Sequence, residues 1–482
     1  MSFDYPELKL IVAGRRVGKS GRETQPVYNP STGAVLGELP HASQADLDEA
    51  LVAAARGFAT WKRKSAIERA RVLRRTADLM RERREYLAFL ISIELGKPIA
   101  EARMEVEQAA GMFEWNAEEG RRAYGRHIPS RAENIHQTAI REPVGPIAAF
   151  APWNAPAITP SRKISGATAA GCSVIIKPSE ETPATALAVG EMLLEAGLPP
   201  DVMSMVFGNP VMISKKLIES STIRGITFTG STNVGKQLAG LAVQGMKRMT
   251  LELGGHAPVV IFDDVDIDKT AKSAAAAKYR NAGQICTCPT RYYVHESLHD
   301  RFVQKFTEYA NAIAVGDAFA ASTIMGPLAS ARRIESMERF VDDAQSRGIK
   351  VAAGGVRCGD QGYFFRPTLL ANIDNECMAA NVEPFGPLAS TTPYSSFEQV
   401  VEMANRLPFG LAAYAMTNDL RKANAFAREV ESGNVIVNHW QVSLPETPFG
   451  GHKDSGVGAE GSVEGLQAFQ NIKFISQASI WD

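Results

Sequence analysis

Residues 225–255 read Gly-Ile-Thr-Phe-Thr-Gly-Ser-Thr-Asn-Val-Gly-Lys-Gln-Leu-Ala-Gly-Leu-Ala-Val-Gln-Gly-Met-Lys-Arg-Met-Thr-Leu-Glu-Leu-Gly-Gly. An apolar strand candidate at 225–229 runs into Gly230-Ser231, a helix follows at about 232–242, and a second strand at 248–252 ends on Glu252 before two glycines. Upstream, strand candidates at 146–151, 173–177 and 202–207 alternate with helices at about 157–170, 183–197 and 211–220. Such alternation builds a parallel sheet with crossover helices. Ligands bind such sheets beyond the carboxyl ends of the strands, where Trp153-Asn154, Lys177-Pro-Ser-Glu180, Gly230-Ser231 and Glu252 lie.

The same pattern resumes after 255. Strand-like Ala257–Phe262 precedes a helix at about 267–281, and alternation continues to about 450. Before the first sheet, strand-like Leu8–Val12 gives way to helix starts at Ser43-Gln-Ala-Asp46 and Ser65-Ala-Ile-Glu68. The helix from Ser65 should run to Gly96, which is followed by Lys97 and Pro98. Residues 122–142 read as a projecting hairpin and Ala468–Ile480 as a strand. The two can pair into a small separate sheet, an exposed edge suited to subunit contact.

The 482 residues suggest two or three domains. A formal net charge of −1 gives no electrostatic reason to expect nucleic acid or an anionic membrane as partner. No apolar run reaches bilayer-spanning length, and the N-terminus lacks the basic and apolar segments of a signal peptide. Five cysteines, few and odd in number, argue against a secreted disulfide scaffold, so a reducing cytoplasm is expected. No His pair stands near the Cys-x-Cys at ligand spacing, so no metal is expected.

Chemistry concentrates at Asn281-Ala-Gly-Gln-Ile-Cys286-Thr-Cys288. A thiol in a Gly-containing turn can be presented to a substrate. Glu252 beside an apolar run suits a general base, or a structural salt bridge. Asn154 can stabilise an oxyanion or cap the next helix. Gly230–Gly235 can hold pyrophosphate at a helix N-terminus or serve as a plain Gly-Ser cap. Lys177 and Glu180 can meet a ribose or stand free at the surface, and Glu383-Pro-Phe385 can hold a ring and a sugar or be only a turn. Cys288 can pair with Cys286 in a strained, labile disulfide or be a small buried side chain.

Together Pro152-Trp-Asn154, Lys177-Pro-Ser-Glu180, Phe228-Thr-Gly-Ser-Thr232, Glu252-Leu-Gly-Gly255, Asn281–Cys286, Glu383-Pro-Phe-Gly386 and Pro448-Phe-Gly-Gly451 resemble the aldehyde dehydrogenase superfamily. The resemblance implies an α/β fold: a parallel-sheet cofactor domain (1–123 and 144–254), an α/β catalytic domain (255–453) and a bridging sheet (124–143 and 466–482) that builds dimers or tetramers. It implies Cys286 as the nucleophile, passing through a thiohemiacetal and a thioester, and an oxyanion site from Asn154 and the Cys286 amide. Glu252 would activate water, with Lys163 and Glu460 as a proton relay. NAD would lie on Pro152, Trp153, Lys177, Ser179, Glu180, Gly208, Gly230, Ser231, Val234, Glu383 and Phe385. A carboxylate at 180 disfavours a 2′-phosphate, so NAD is expected over NADP, although Lys177 can tolerate the phosphate.

For the substrate, the chain looks similar to succinate-semialdehyde and α-ketoglutarate-semialdehyde dehydrogenases. Arg162 and Arg280 match arginines that hold a distal carboxylate, and Cys286-Thr-Cys288 resembles a redox-responsive pair. The run Leu444–Gly451 is closer to the α-ketoglutarate group. Two positions depart from the pattern. Ala155 stands where many members carry Phe, and Ser443 falls one residue before the expected carboxylate-binding serine. If the arginines make structural salt bridges, an aliphatic or aromatic aldehyde becomes the better reading. A thiol hydrolase could use the same Cys286 and Glu252, but it would need no ribose and pyrophosphate site.

Overall fold

The computed structural model describes residues 3–478. Residues 479–482 of the expected bridging strand, and the first two of the chain, lie outside that range.

The alternation at 146–252 forms as the pattern requires. Strands Ile147–Phe150, Val174–Lys177, Met203–Met205, Gly225–Thr229 and Arg248–Glu252 pair in parallel. In spatial order they run third, second, first, fourth, fifth. Antiparallel Leu10–Val12 with Arg15–Val17 extends one edge, and Gly456–Val457 the other. The order reverses between Ile147–Phe150 and Gly225–Thr229. That switch point leaves a crevice at the carboxyl ends, bordered by 151–154 and 230–231.

The second sheet has seven strands, six of them parallel: Thr368–Ala371, Leu388–Tyr394, Pro289–His295, Ala257–Ile261, Ala412–Met416 and Asn434–Val437. The two sheets keep separate apolar cores. One is built from Leu8 to Leu253 with Leu466 and Phe469, and the second sheet has two clusters, one around Val259, Ile261, Tyr292 and Tyr414 and one around Val260, Tyr293, Ala413 and Ala415 on its other face. The chain leaves the carboxyl end of the first sheet at Glu252 and enters the amino end of the second at Ala257. Segments carrying Cys286 and Glu383 also lie before second-sheet strands, so the amino ends of one sheet face the switch point of the other.

Arg126–Ile128, Ile135–Pro143 and Gln470–Ala478 form an antiparallel three-stranded sheet. Its outer strand exposes Ile472 and Phe474.

Local signals explain the helix ends. Ser43 with Asp46 and Ser65 with Glu68 close reciprocal capping boxes. Gly96 ends its helix in the left-handed region, φ 79°. The expected single helix from Ser65 to Gly96 is broken, however. Arg83, at φ −108° and ψ 25°, separates Ala66–Glu82 from Arg84–Leu95. The guanidinium of Arg83 forks onto exposed Glu195, too weak a contact to bend a helix, while both segments pack on helix Ile99–Arg121, so tertiary packing sets the break.

Helix Ile158–Ala170, which carries Arg162 and Lys163, is buried along nearly its whole length. Trp61 anchors it, buried and donating its indole N–H to the Thr168 carbonyl at 2.8 Å. Trp61→Ala should cost about 3–5 kcal/mol through the cavity it leaves. The check is the first thermal or urea transition, which should fall well below that of the parent.

Candidate active site

A cavity of about 890 Å³ lies between the two sheets. Pro152, Trp153, Asn154, Arg162, Gly230, Ser231, Arg280, Cys286, Cys288, Glu383, Phe385, Ser443 and Glu460 line it. Segments more than 300 residues apart in the chain therefore meet at one opening, as their placement at facing sheet ends requires.

Cys286 sits on a loop whose backbone is left-handed at three successive residues: Asn281 (φ 46°), Ala282 (φ 52°) and Gly283 (φ 72°). Such a run is costly for non-glycine residues and persists only where packing over-determines it. A side chain at 283 would meet the Gly386 carbonyl at 2.1 Å. The segment is thus a rigid, buried shelf rather than the flexible turn its glycine suggests. Burial first, then Glu383 and Glu252, push the Cys286 thiol up to about 12. It therefore rests protonated and needs a base to become a nucleophile.

Asn154 donates one side-chain N–H to the Gln284 carbonyl at 3.1 Å, which leaves its second N–H for the cavity. Its own carbonyl accepts from Asn281 at 3.1 Å and from Lys97 at 3.3 Å. Lys97 is in turn paired with buried Glu105, which also accepts from the Ala157 amide at 2.9 Å. Sequence reasoning missed this scaffold. A signal exists: Glu105 shares the buried face of its helix with Ala102, Val106 and Ala109, and an acid on an apolar stripe calls for a partner.

Behind the cavity lies a charged cluster. Lys163 donates to Glu460 at 2.6 Å and to Thr227 at 2.9 Å, and Thr227 donates to Glu460 at 3.0 Å. Burial would raise Glu460, but Lys163 and Arg162 hold it below the usual carboxylate range. Glu252 goes the other way, raised by burial and by Glu460. Neither of its oxygens has a hydrogen-bond partner. Two nearby carboxylates whose environments drive their pKa values apart are a hallmark of proton-transfer sites.

Arg162 donates to the Ser443 hydroxyl at 2.5 Å, lies over the Phe449 ring at 5.0 Å, and comes within 3.8 Å of Glu460. Its Nε has no partner. Arg280 is exposed at the cavity wall and makes no side-chain hydrogen bond or ion pair among the described residues. Cys288 points into the protein interior, where its sulfur meets Lys278 Nζ at 3.4 Å.

The candidate cofactor residues divide into two groups along the crevice. Glu180 accepts from Lys177 Nζ at 2.7 Å and from the Gly208 amide at 3.0 Å, while Ser179 bonds to Glu181. Helix Thr232–Gln244 begins at Ser231 with no side chain capping it, and Val234 in its first turn is exposed. Its open amides suit a pyrophosphate. Trp153 meets Phe385 edge to face at 5.5 Å. Glu383 is pushed up to about 8 by burial, and its carboxylate lies 2.9 Å from where a Gly254 Cβ would stand. A dinucleotide fits this layout: ribose acceptors, phosphate amides and an acidic group follow one another along the switch-point crevice.

The sequence of residues 17–475 matches the model of the aldehyde dehydrogenase family. The chain belongs to the aldehyde dehydrogenase family. The 4-(hydroxymethyl)benzenesulfonate dehydrogenase TsaD1 of Comamonas testosteroni is 43% identical, over 97% of each chain. The crystal structure of succinate-semialdehyde dehydrogenase from Burkholderia pseudomallei is 38% identical with a TM-score of 0.96, covering 98% of both chains. Betaine aldehyde dehydrogenase from Staphylococcus aureus, solved in complex with NAD+, is 30% identical with a TM-score of 0.95, over 98% of this chain and 94% of that one. The dehydrogenase thus has the family's fold, and NAD is consistent with that family. Among the described residues no helix is long and apolar enough to cross a membrane, and no group of three or more His, Cys, Asp or Glu is placed to hold a metal ion.

The Glu252 environment predicts a stability effect. Its folded-state pKa is raised, so its contribution is fully present below the ordinary glutamate value and is lost as pH rises through the raised one. Glu252→Gln cannot ionise there. The melting temperature of the variant relative to the parent should therefore climb with pH above about 4.3, and a pH-independent difference would refute the assignment.

Proposed function

We propose that this dehydrogenase oxidises an aldehyde bearing a distal anionic group to its acid, with NAD as acceptor and a short semialdehyde such as succinate semialdehyde as substrate. The observation that carries this reading concerns two of the three guanidinium groups on the cavity that holds Cys286, the third, on Arg333, being committed to the Pro384 and Phe385 carbonyls. Arg280 is unpaired, and Arg162 is oriented by Ser443 with its Nε free. A planar fork suits a carboxylate or sulfonate.

In this reading Glu252, whose raised pKa makes its carboxylate a stronger base than an ordinary glutamate, takes the Cys286 proton. The thiolate attacks the aldehyde carbon to give a thiohemiacetal. The free N–H of Asn154 and the Cys286 amide hold the oxyanion, and the Lys97–Glu105 pair keeps Asn154 in place. NAD, when bound, accepts the hydride. Glu252 passes the Cys286 proton on to the Lys163–Glu460 pair and, as a carboxylate again, draws a proton from water; the hydroxide adds to the thioester carbonyl, and the C–S bond breaks to release the acid and the Cys286 thiolate.

Glu180, held by Lys177 and the Gly208 amide, supports NAD over NADP in this reading, because a carboxylate beside the adenosine ribose repels a 2′-phosphate. The separate apolar cores support reading 1–123 with 144–254 as the NAD-binding domain and 255–453 as the catalytic domain. The outer strand of the three-stranded sheet, with Ile472 64% and Phe474 57% exposed, supports a homodimer or homotetramer built through 124–143 and 466–482. Phe474→Glu should then shift the light-scattering mass toward the monomer, and an unchanged mass would place the contact elsewhere.

A second reading is an aryl aldehyde carrying a sulfonate. Ala155 and Trp440 line the cavity, the first a small side chain and the second an aromatic face against which a flat ring can pack, and the relative TsaD1 is named for a benzenesulfonate. Rates of NADH formation decide. Succinate semialdehyde, α-ketoglutarate semialdehyde, 4-formylbenzenesulfonate and benzaldehyde should be compared by kcat/KM, each with NAD and with NADP. Any anionic aldehyde should exceed benzaldehyde. Arg280→Ala should lower kcat/KM for the anionic substrates by roughly ten- to a hundredfold, the worth of one charged hydrogen bond at about 1.5–3 kcal/mol, and leave benzaldehyde nearly unchanged. Equal use of charged and uncharged aldehydes would overturn the proposal, and a clear NADP preference would overturn the cofactor assignment.

A further inference from the structure

Two buried reactive groups beside the cavity have no part in the chemistry above. Lys278 is the last residue of helix Ile267–Lys278, and Cys288 immediately precedes strand Pro289–His295. Lys278 Nζ donates to Cys288 Sγ at 3.4 Å, and the Cys288 thiol donates back to the Lys278 carbonyl at 3.3 Å. Both side chains are buried. No carboxylate pairs with Lys278 among the described residues, and the nearby phenols are committed elsewhere. Tyr279 donates to Thr368, Tyr292 to Ala274 and Tyr414 to Thr287. The sulfur is therefore the one side-chain atom to which the Lys278 amine bonds. Burial lowers the Lys278 pKa, which favours the neutral, nucleophilic amine. Cys288, although its sulfur is turned inward, is among the residues lining the active-site cavity, so the cavity is the route by which a small oxidant approaches it.

We propose that Lys278 and Cys288 are an oxidative cross-linking site, in which hydrogen peroxide joins them through a single oxygen as an Nζ–O–Sγ bridge. One peroxide oxidises the Cys288 thiol to a sulfenic acid: the S–H bond is replaced by S–OH and water leaves. A second peroxide oxidises the amine to a hydroxylamine, again releasing water. The hydroxylamine oxygen then attacks the sulfenic sulfur, S–O forms, and the sulfenic hydroxyl departs with a proton as the third water. Sulfur and nitrogen each lose two electrons, and the two peroxides take up all four. The product carries one more oxygen and two fewer hydrogens than the parent pair. Lys278 and Cys288 flank the loop that carries Cys286, so the bridge ties together the two ends of the nucleophile's support. It also consumes the sulfur that a Cys286–Cys288 disulfide would need.

Peptide mapping separates these outcomes. The folded enzyme is treated with peroxide, its remaining thiols are alkylated, and the denatured chain is digested with trypsin. Bridging blocks cleavage after Lys278 and links 273–280 to 281–291, with a mass gain of one oxygen less two hydrogens. The linked pair should persist in Cys286→Ser and be absent in Cys288→Ser and in Lys278→Met, with circular dichroism confirming that each variant is folded. Three results overturn the proposal: loss of two hydrogens within 281–291 alone, which is the Cys286–Cys288 disulfide; Cys288 recovered as sulfinic acid with cleavage after Lys278 intact; or Cys288 recovered unmodified.

Discussion

The site depends on a steric constraint at Gly254 and Gly255. These residues carry the chain from the carboxyl end of one sheet to the amino end of the other, and the crossing is too tight for side chains. A Cβ at 254 would stand 2.9 Å from the Glu383 carboxylate, and one at 255 would stand 2.7 Å from the Cys286 carbonyl. Because the backbone comes this close, Glu252, Cys286 and Glu383 converge although 131 positions separate the first from the last. Widening the crossing would separate the three groups before it destabilised either core, since each sheet is packed by its own apolar cluster.

The second organising feature is charge placed where solvent cannot compensate it. Lys163, Arg162 and Glu460 satisfy one another, so Glu460 stays ionised. Glu252, without a single hydrogen-bond donor, is pushed toward its neutral form. Leaving one carboxylate unsatisfied costs stability. What it gives in return is a carboxyl that binds a proton more tightly than an ordinary glutamate, beside a thiol that does not ionise unaided. The loss in stability and the chemical competence have the same origin, the missing partner of Glu252.

Much of this was legible in the chain because period and punctuation agree with the fold. The five parallel strands between 146 and 252 fall within a residue or two of the apolar runs, and the helices between them start at Pro183, Pro210 and Ser231-Thr232, where Pro at the first position or a Gly-Ser turn announces them. The helix break at Arg83 was not legible, because no Pro or Gly stands between 66 and 95 to announce it. The candidate site residues could be gathered from the motifs, but their second partners could not. Lys97 follows a helix stop, where a solvated lysine is the ordinary outcome, and only its pairing with Glu105 brings it beneath Asn154. The direction in which Cys288 points was equally hidden, since its neighbour is the end of a helix ten residues back rather than the cysteine two residues before it.

That direction follows from the left-handed run at 281–283. Three consecutive residues with positive φ reverse the chain sharply after the helix that ends at Lys278. Gln284 then donates its backbone N–H to the Asn281 carbonyl, and its side chain accepts from the Ala329 amide, so the reversal is pinned on both sides. Cys286 emerges toward the cavity at the far side of this reversal. Two residues later the chain is entering strand Pro289–His295 and has come back alongside Lys278. A thiol held on so short a return path is closely fixed, because its neighbours over-determine the backbone. The same shortness forces the segment after it against the helix it left, which is why a second sulfur at 288 comes to rest on a lysine.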